Sequence, residues 1–276
     1  MKKTTKNIGK ISGKLLIFGG VYSNFQALET LMEIAKAENI SPQNIICTGD
    51  VVAYCAEPEK CLQTIKDWGI HTILGNVEIQ LRDDEDDCGC NFNDNSRCDI
   101  FSKQWFPFAQ KNTSEASKKW LETLPDHLIF EYANKKCLVV HGNYFETSGY
   151  VFRSTDWQTK QANFEAANVE VIFGGHCGLP FSDVQNDKYW LNAGVIGMPA
   201  NDATTKVWYM IVEDNPFSFE HKSFEYDFQT TQNLMNKNCL PKAYSETLAT
   251  GFWDNCEILP DEETEEQGKV LVFSGM

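Results

Sequence analysis

Four residues of this 276-residue chain combine metal-ligand chemistry with one recurring context. Asp50 follows Gly49 after the apolar run Ile45-Ile46-Cys47-Thr48, and Asn76 follows Gly75 after Thr72-Ile73-Leu74. His141 precedes Gly142 after Leu138-Val139-Val140, and His176 follows Gly174-Gly175 after Val171-Ile172-Phe173. A carboxylate, a carboxamide and two imidazoles make a mixed oxygen and nitrogen donor set. Such a set suits Mn, Zn or Fe(II) better than Ca or Cu(I). Taken singly, a Gly-Asp after a strand is a turn and a lone His is a satisfied polar group. Four strand exits carrying four ligand types together predict a site for one divalent ion.

The elements that must position these residues are strands. Runs that are apolar throughout belong to strands buried on both faces. In open α/β folds their exits converge on the sheet edge where ligands bind. The strand at 15–18 leads to a helix that Asn24 can cap, with Phe25, Leu28, Leu31, Met32 and Ala35 on one face. A strand at 44–48 follows, then a helix opened by Pro58, striped by Cys61, Leu62 and Ile65 and stopped by Gly69. The strand at 71–74 completes a βαβαβ order, which predicts a parallel sheet flanked by helices. Residues 82–99 break the periodicity as an acidic, Cys-rich insertion. A helix near 115–124 and strands at 128–132, 137–140 and 206–213 are expected. Phe217, Phe219, His221, Phe224, Tyr226 and Phe228 alternate as half-buried strand residues do. Asn215-Pro216 marks the turn before them. Residues 1–13 read as a loose leader and 229–276 as a partly helical C-terminal extension. With no repeat and no linker, 1–276 reads as a single domain.

Composition narrows the partners. Hydrophobic residues make up 42% of the chain, and 24 Lys+Arg against 39 Asp+Glu give a net charge of −15. Such a surface repels polyanions, so neither nucleic-acid polymer nor anionic membrane is an expected partner. A small phosphorylated molecule remains compatible, because a bound cation inverts the local field. The basic, polar first residues lack a signal-peptide h-region, and no apolar stretch could span a bilayer. The expectation is a cytoplasmic protein whose ten cysteines are mostly reduced.

The order Gly49-Asp50, Gly75-Asn76, His141-Gly142, Gly175-His176 resembles the calcineurin-like metallophosphoesterases. Asn24-Phe25-Gln26-Ala27-Leu28, Gly49-Asp50-Val51-Val52-Ala53-Tyr54 with Glu57-Pro58, and Asn192-Ala193-Gly194-Val195-Ile196-Gly197-Met198-Pro199 resemble segments of that superfamily's bacterial branch of small phosphodiesterases and phosphatases. The resemblance covers about residues 14–213. It implies a four-layer αββα sandwich, with two mixed β-sheets face to face and helices outside both. It also implies a phosphate-ester site at the strand exits, where two metals normally sit.

The departures fall on one side. The family's Asp-x-His motif meets Gly20 and Tyr22, its Gly-Asn-His reads Gly75-Asn76-Val77, and its Gly-His-x-His reads Gly175-His176-Cys177-Gly178. All three unshared ligands of one metal are missing. The resemblance assigns the other metal to Asp50, Asn76, His141 and His176, and all four are present. One divalent ion (Mn, Zn or Fe) is therefore expected, and a second is not. Val77 also stands where the family keeps the His that assists leaving-group departure. The activity implied is a metal-dependent phosphoesterase, phosphatase or phosphodiesterase, with Asn76 and His141 central to catalysis. The alternative is a catalytically inactive relative that binds a ligand or partner.

Tyr22, Asn24 and Tyr54 are candidates for the substrate pocket wall, with packing as the alternative for each. Arg153 could meet a phosphate oxygen or sit in an exposed salt bridge. Cys88, Cys90 and Cys98 suggest either a zinc or redox site or, because C-x-C is tighter than the usual zinc spacing, a loop with reduced thiols or a local disulfide. Their segment follows Asn76 closely enough to form a lid. Cys177, beside a ligand His, reads as structural. The run Asp83–Asp87 reads as a solvated loop, and His71, His127 and His221 show no ligand context.

Overall fold

Leu15, Leu16, Ile17 and Phe18 form a strand with no exposed residue, and their side chains alternate between two separate cores. That alternation is the plan of the molecule. The computed structural model describes residues 3–90 and 92–273. The first two residues of the leader, residue 91 of the insertion and the last three of the extension lie outside the described residues.

One sheet has five strands in the order β11 (Phe217–Phe224), β10 (Val207–Asp214), β2 (Leu15–Phe18), β3 (Ile45–Cys47) and β4 (His71–Thr72). The other has six, in the order β1 (Thr5–Lys10), β5 (His127–Tyr132), β6 (Lys135–Val139), β7 (Val171–Gly174), β9 (Lys188–Ala193) and β8 (Pro180–Gln185). Both are mixed: β2, β3 and β4 run parallel, as do β6, β7 and β9, while β10 and β11 and the β8–β9 pair are antiparallel. Leu15, Ile17, Ile46 and Met210 of the first sheet pack against Leu128, Val139, Phe173 and Leu191 of the second. Leu16, Phe18 and Cys47 turn the other way, onto α1 (Phe25–Ala37) and α2 (Pro58–Trp68). Leu138, Ile172 and Trp190 do the same on the outer face of the second sheet, against α6 (Trp157–Ala167). The result is the αββα sandwich the resemblance implies.

Three local expectations are corrected. The leader is not loose: Thr5–Lys10 is an edge strand parallel to β5, anchored where the Thr4 N–H and hydroxyl donate to Asp126 Oδ2 (2.7 and 2.8 Å). Its residues are almost all exposed, so it carries no apolar pattern, as edge strands commonly do not. The insertion is not without structure, because α3 (Asn76–Asp83) enters it and α4 (Arg97–Lys111) leaves it. Ser96 caps α4 by accepting the Asp99 N–H at 3.2 Å, and Ser102, Trp105, Phe106 and Ala109 form its buried stripe. The aromatic alternation at 217–228 ends as strand at Phe224, and Asp227 then caps α7 (Phe228–Lys237) through the Thr230 N–H. After α5 (Glu115–Leu121), the remaining helices are α8 (Lys242–Thr250) and α9 (Asp261–Thr264) of the extension. Among the described residues no helix is long and apolar enough to cross a membrane.

Candidate metal centre

Parallel strands bring their carboxyl ends to one edge, and that is where the four ligand types meet. Asp50 sits in the turn leaving β3, and Asn76 is the first residue of α3, just past β4. His141 and His176 lie two residues beyond β6 and β7 of the other sheet. The site therefore bridges the two sheets. Asp50 and His176 both adopt left-handed backbone, with φ of 55° and 61°. Non-glycine residues held there carry strain that the surrounding fold must sustain, a pattern that clusters at functional sites. Gly49 allows the close approach: a Cβ at that position would lie 2.7 Å from Gly75 N and 2.9 Å from His141 Nδ1.

The ring of His141 is the centre of the cluster. Its Nδ1 lies 2.7 Å from the Thr48 carbonyl and donates to it. That bond fixes the tautomer and leaves the Nε2 lone pair facing the site. Around this nitrogen lie Asp50 Oδ2 at 3.2 Å, Asn76 Oδ1 at 3.1 Å and His176 Nδ1 at 3.1 Å. A carboxylate and an amide oxygen can only accept, and an Nε2 bare of its proton can only accept as well. These lone pairs meet at one buried point with too few protons between them. Asp50 Oδ1 and His176 Nε2 are also buried without a protein partner. A cation satisfies such a set. Asp50, His141 and His176 are also the one His/Cys/Asp/Glu group among the described residues spaced to hold a metal ion. The donor set therefore fits a divalent metal.

The two imidazoles differ in their electrostatics. Burial lowers the His141 pKa, but the Asp50 carboxylate outweighs it and leaves the ring more basic than usual. His176 is driven down to about 3, first by burial and then by His141, so it offers a neutral imidazole.

Glu78, absent from the sequence reading, holds the ligand loops. Its Oε2 accepts the N–H groups of Asp50 (2.8 Å) and Gly75 (2.9 Å), and its Oε1 accepts that of Val52 (3.0 Å). Burial, followed by Asp50, raises its carboxyl to about 7. The only signal for it in sequence is an acid three residues past the Gly75 cap, the capping-box spacing.

On the side where the resemblance finds ligands missing, Tyr22 turns back over Gly20. A Cβ on Gly20 would stand 2.5 Å from the Tyr22 ring. On Gly178 it would meet the Trp253 indole at 3.3 Å and the Tyr22 hydroxyl at 3.9 Å. Aromatic groups thus fill the space beside Gly20 and Gly178.

Tyr22, Asp50, Tyr54 and His176 line one cavity together with Tyr150, Tyr244 and Trp253. Tyr150 stacks on the His176 ring at 4.3 Å between centroids. These last three aromatics come from segments without recognisable motifs, and nothing in the sequence marks them. Asn24 and Arg153 are not in the wall. Asn24 is fully buried, accepting the Ala27 N–H at the start of α1 and donating to the Gly197 carbonyl and the Tyr226 hydroxyl. Arg153 is exposed and lines a separate groove with Glu262, Glu263 and Glu266 of the extension, turned away from the cluster.

The insertion does reach the site. Asn76 Nδ2 donates to the Cys88 carbonyl at 2.8 Å and to Cys90 Sγ at 3.2 Å, which turns its Oδ1 toward His141. Cys88, Cys90 and Cys98 are free thiols, and they form no metal-spaced group. Burial lifts Cys177 to about 12, consistent with a structural thiol and not a nucleophile.

This fold, with a carboxylate, an amide and two imidazoles at the strand exits, defines a metallophosphoesterase-like protein. The model of the calcineurin-like phosphoesterase superfamily domain matches residues 14–215, and the chain belongs to that superfamily. The protein MJ0912 of Methanocaldococcus jannaschii is 24% identical over 259 residues, covering 87% of this chain and 99% of that protein. A metallophosphoesterase from Sphaerobacter thermophilus superposes with a TM-score of 0.68 at 21% identity, covering 87% of this chain and all (100%) of that one. Protein PH1004 of Pyrococcus horikoshii OT3 superposes at 0.73 with 16% identity, covering 87% and 99%. At these identities the structural likenesses establish the fold.

Proposed function

We propose that this protein is a phosphoric ester hydrolase that works with a single divalent metal ion on a small phosphorylated molecule. The observation that carries this reading is the convergence of Asp50, Asn76 and His176 on His141 Nε2, with aromatic packing on the opposite side. Asp50, Asn76, His141 and His176 would hold the ion. Such an ion polarises a phosphoryl oxygen and lowers the pKa of a water. The chain's own contribution is positioning. Thr48 holds His141 in one tautomer, Cys88 orients the Asn76 amide, and Glu78 fixes the turn that carries Asp50. The aromatic wall gives the space beside the cluster a mainly apolar lining. Val77 is buried and apolar, so no acid protonates the leaving group from that position. Loss of a general acid costs about 10²–10⁴ in rate, and esters with good leaving groups suffer least. With a net charge of −15 the surface repels polyanions, which suits a small phosphorylated substrate, and the place of action we propose is the cytoplasm.

The same Val77 and Tyr22 favour a second reading, a protein that binds a phosphorylated ligand without turnover. Metal-reconstituted protein analysed by ICP-MS, followed by a phosphomonoester and phosphodiester panel with Mn, Zn or Fe, separates the two. One ion per chain and turnover abolished in His141→Ala support the hydrolase. Ligand binding without turnover in any metal supports the second reading, and two ions per chain or none refute the single-metal site.

A further inference from the structure

We propose that the cavity beside the metal centre is built for a monoanionic phosphoric ester carrying a single aromatic ring, with Trp253 and Tyr244 as the residues that select the ring. This deepens the reading above and rests on it.

The walls make the first case. Tyr22, Tyr54, Tyr150, Tyr244, Trp253 and Met198 surround the space next to Asp50 and His176. Tyr54 packs against Tyr22 and Tyr244 at 4.7 and 4.6 Å between centroids, so the rings support one another as a rigid surface. Trp253 is fixed by its Nε1–H donating to the Pro199 carbonyl at 2.8 Å. Its indole lies over Gly178, where any side chain would crowd it. Edge-to-face and offset stacking on such walls recognise an aromatic ring.

Charge makes the second case. Among the described residues lining the cavity there is no Lys or Arg, and the only acids are Asp50 and Asp254. Asp254 is engaged by Arg97, whose Nη2 donates to its Oδ1 at 2.8 Å. Phosphate dianions are characteristically met by guanidinium or ammonium groups. Here a divalent cation and its single carboxylate ligand, Asp50, together carry one positive charge on the cavity side, with Glu78 lying behind the turn on the backbone N–H groups and outside the cavity wall, which matches one negative charge on the ester.

Size makes the third. The cavity measures about 80 Å³. That is below the roughly 150 Å³ that encloses a benzene ring, so the cavity takes no more than a single ring, with the rest of the ester at its mouth, and does not take a nucleoside. An aryloxide is also a leaving group that departs without help from an acid, as Val77 requires.

The test is isothermal titration at pH 8 with methyl phenyl phosphate (one charge, one ring), phenyl phosphate (two charges, one ring) and dimethyl phosphate (one charge, no ring). Full-length Mn-loaded protein is used, and ICP-MS reports its metal content. Methyl phenyl phosphate should bind at least tenfold more tightly than either of the others. Trp253→Leu should remove about tenfold of that affinity while leaving dimethyl phosphate affinity and metal content unchanged. If that variant fails to fold, Tyr244→Leu makes the same comparison. Equal binding of dimethyl phosphate, tighter binding of phenyl phosphate, or ring affinity indifferent to both substitutions overturns the proposal. A chain that takes up no metal refutes the single-metal reading instead, and the ring preference is then decided by the methyl phenyl and dimethyl phosphate titrations on metal-free protein.

Discussion

Glu78→Gln tests how the metal loops are held. The wild-type carboxylate accepts three backbone N–H groups, two at Oε2 and one at Oε1. A glutamine can place its one carbonyl oxygen against Asp50 and Gly75, but its amide nitrogen then faces the Val52 N–H. A buried donor left unsatisfied in this way costs about 1–3 kcal/mol. The effect depends on pH, and the sign follows from linkage. The Glu78 pKa is raised from 4.5 to about 7 on folding. Between those values the folded chain keeps a proton that the unfolded chain has lost, so the stability it contributes is full below pH 4.5 and falls as pH rises toward 7. About 2.5 units at 1.36 kcal/mol each is on the order of 3 kcal/mol. Urea unfolding of metal-free protein should show the variant less stable near pH 5. The gap should close, or reverse, above neutrality. Metal affinity should drop 10–100-fold, the usual consequence of losing a group that orients ligands. A stability difference that stays flat from pH 4.5 to 8, together with unchanged metal affinity, would falsify this account of Glu78.

Three further outcomes are expected. Because Asp50 makes His141 more basic than an ordinary imidazole, protons compete with the metal as pH falls. Metal occupancy at fixed total metal should drop by about tenfold in affinity per unit below the folded pKa of His141, and a pH-independent affinity would remove His141 from the ligand set. Cys90→Ala removes a thiol that accepts from Asn76 Nδ2 at 3.2 Å and donates to the Cys88 carbonyl at 3.8 Å, while that carbonyl keeps its bond from Asn76. Metal affinity should fall by less than about tenfold, since a single neutral hydrogen bond is worth about 0.5–1.5 kcal/mol; a hundredfold loss would mean that the sulfur itself coordinates. Gly20→Ala drives a methyl into the Tyr22 ring and should destabilise the protein by about 1–3 kcal/mol through overpacking, seen as a lower urea midpoint, whereas an unchanged midpoint would mean that the ring moves freely.

The four residues that converge at the strand exits were legible in the sequence because each is local information: a ligand type beside glycine at the end of an apolar run. The strands that carry them were legible for the same reason. Glu78 was not, since its role depends on N–H groups of Asp50 and Val52, which only the tertiary fold brings to it. Arg153 looked suitable because it follows the His141 motif, but chain proximity does not fix direction, and the loop turns it into another groove. Helix α4 was hidden by Pro107, which reads as a helix breaker, although the stripe Ser102, Trp105, Phe106, Ala109 has helical spacing. The aromatic wall drew Tyr150, Tyr244 and Trp253 from three distant loops and helices, and no periodicity marks such a surface.

The one-sided pattern of departures from the family motifs has a steric logic. Gly20, Tyr22 and Gly178 are not three independent losses. The Tyr22 ring needs Gly20 bare, since a Cβ there would stand 2.5 Å away, while a Cβ on Gly178 would press the Trp253 indole at 3.3 Å and sit on a left-handed backbone with φ of 78°. Reintroducing an Asp at Gly20 or a His at Gly178 therefore collides with a wall residue before any metal is considered. On the proposed single-ion reading, ligands for a second metal would have to displace the Tyr22 ring and shift the Trp253 indole, both of which line the aromatic cavity. Meanwhile His141, with its Thr48 anchor, and the Glu78-braced turn stand on the other side of the cluster and touch neither ring among their hydrogen-bond partners. The two halves nonetheless meet, because the Tyr22 N–H donates to the Asp50 carbonyl at 3.1 Å and Tyr150 stacks on the His176 ring. Trp253 and His141 themselves share no hydrogen-bond partner, so on the proposed reading substitutions at the two are expected to move different observables, ring affinity and metal content.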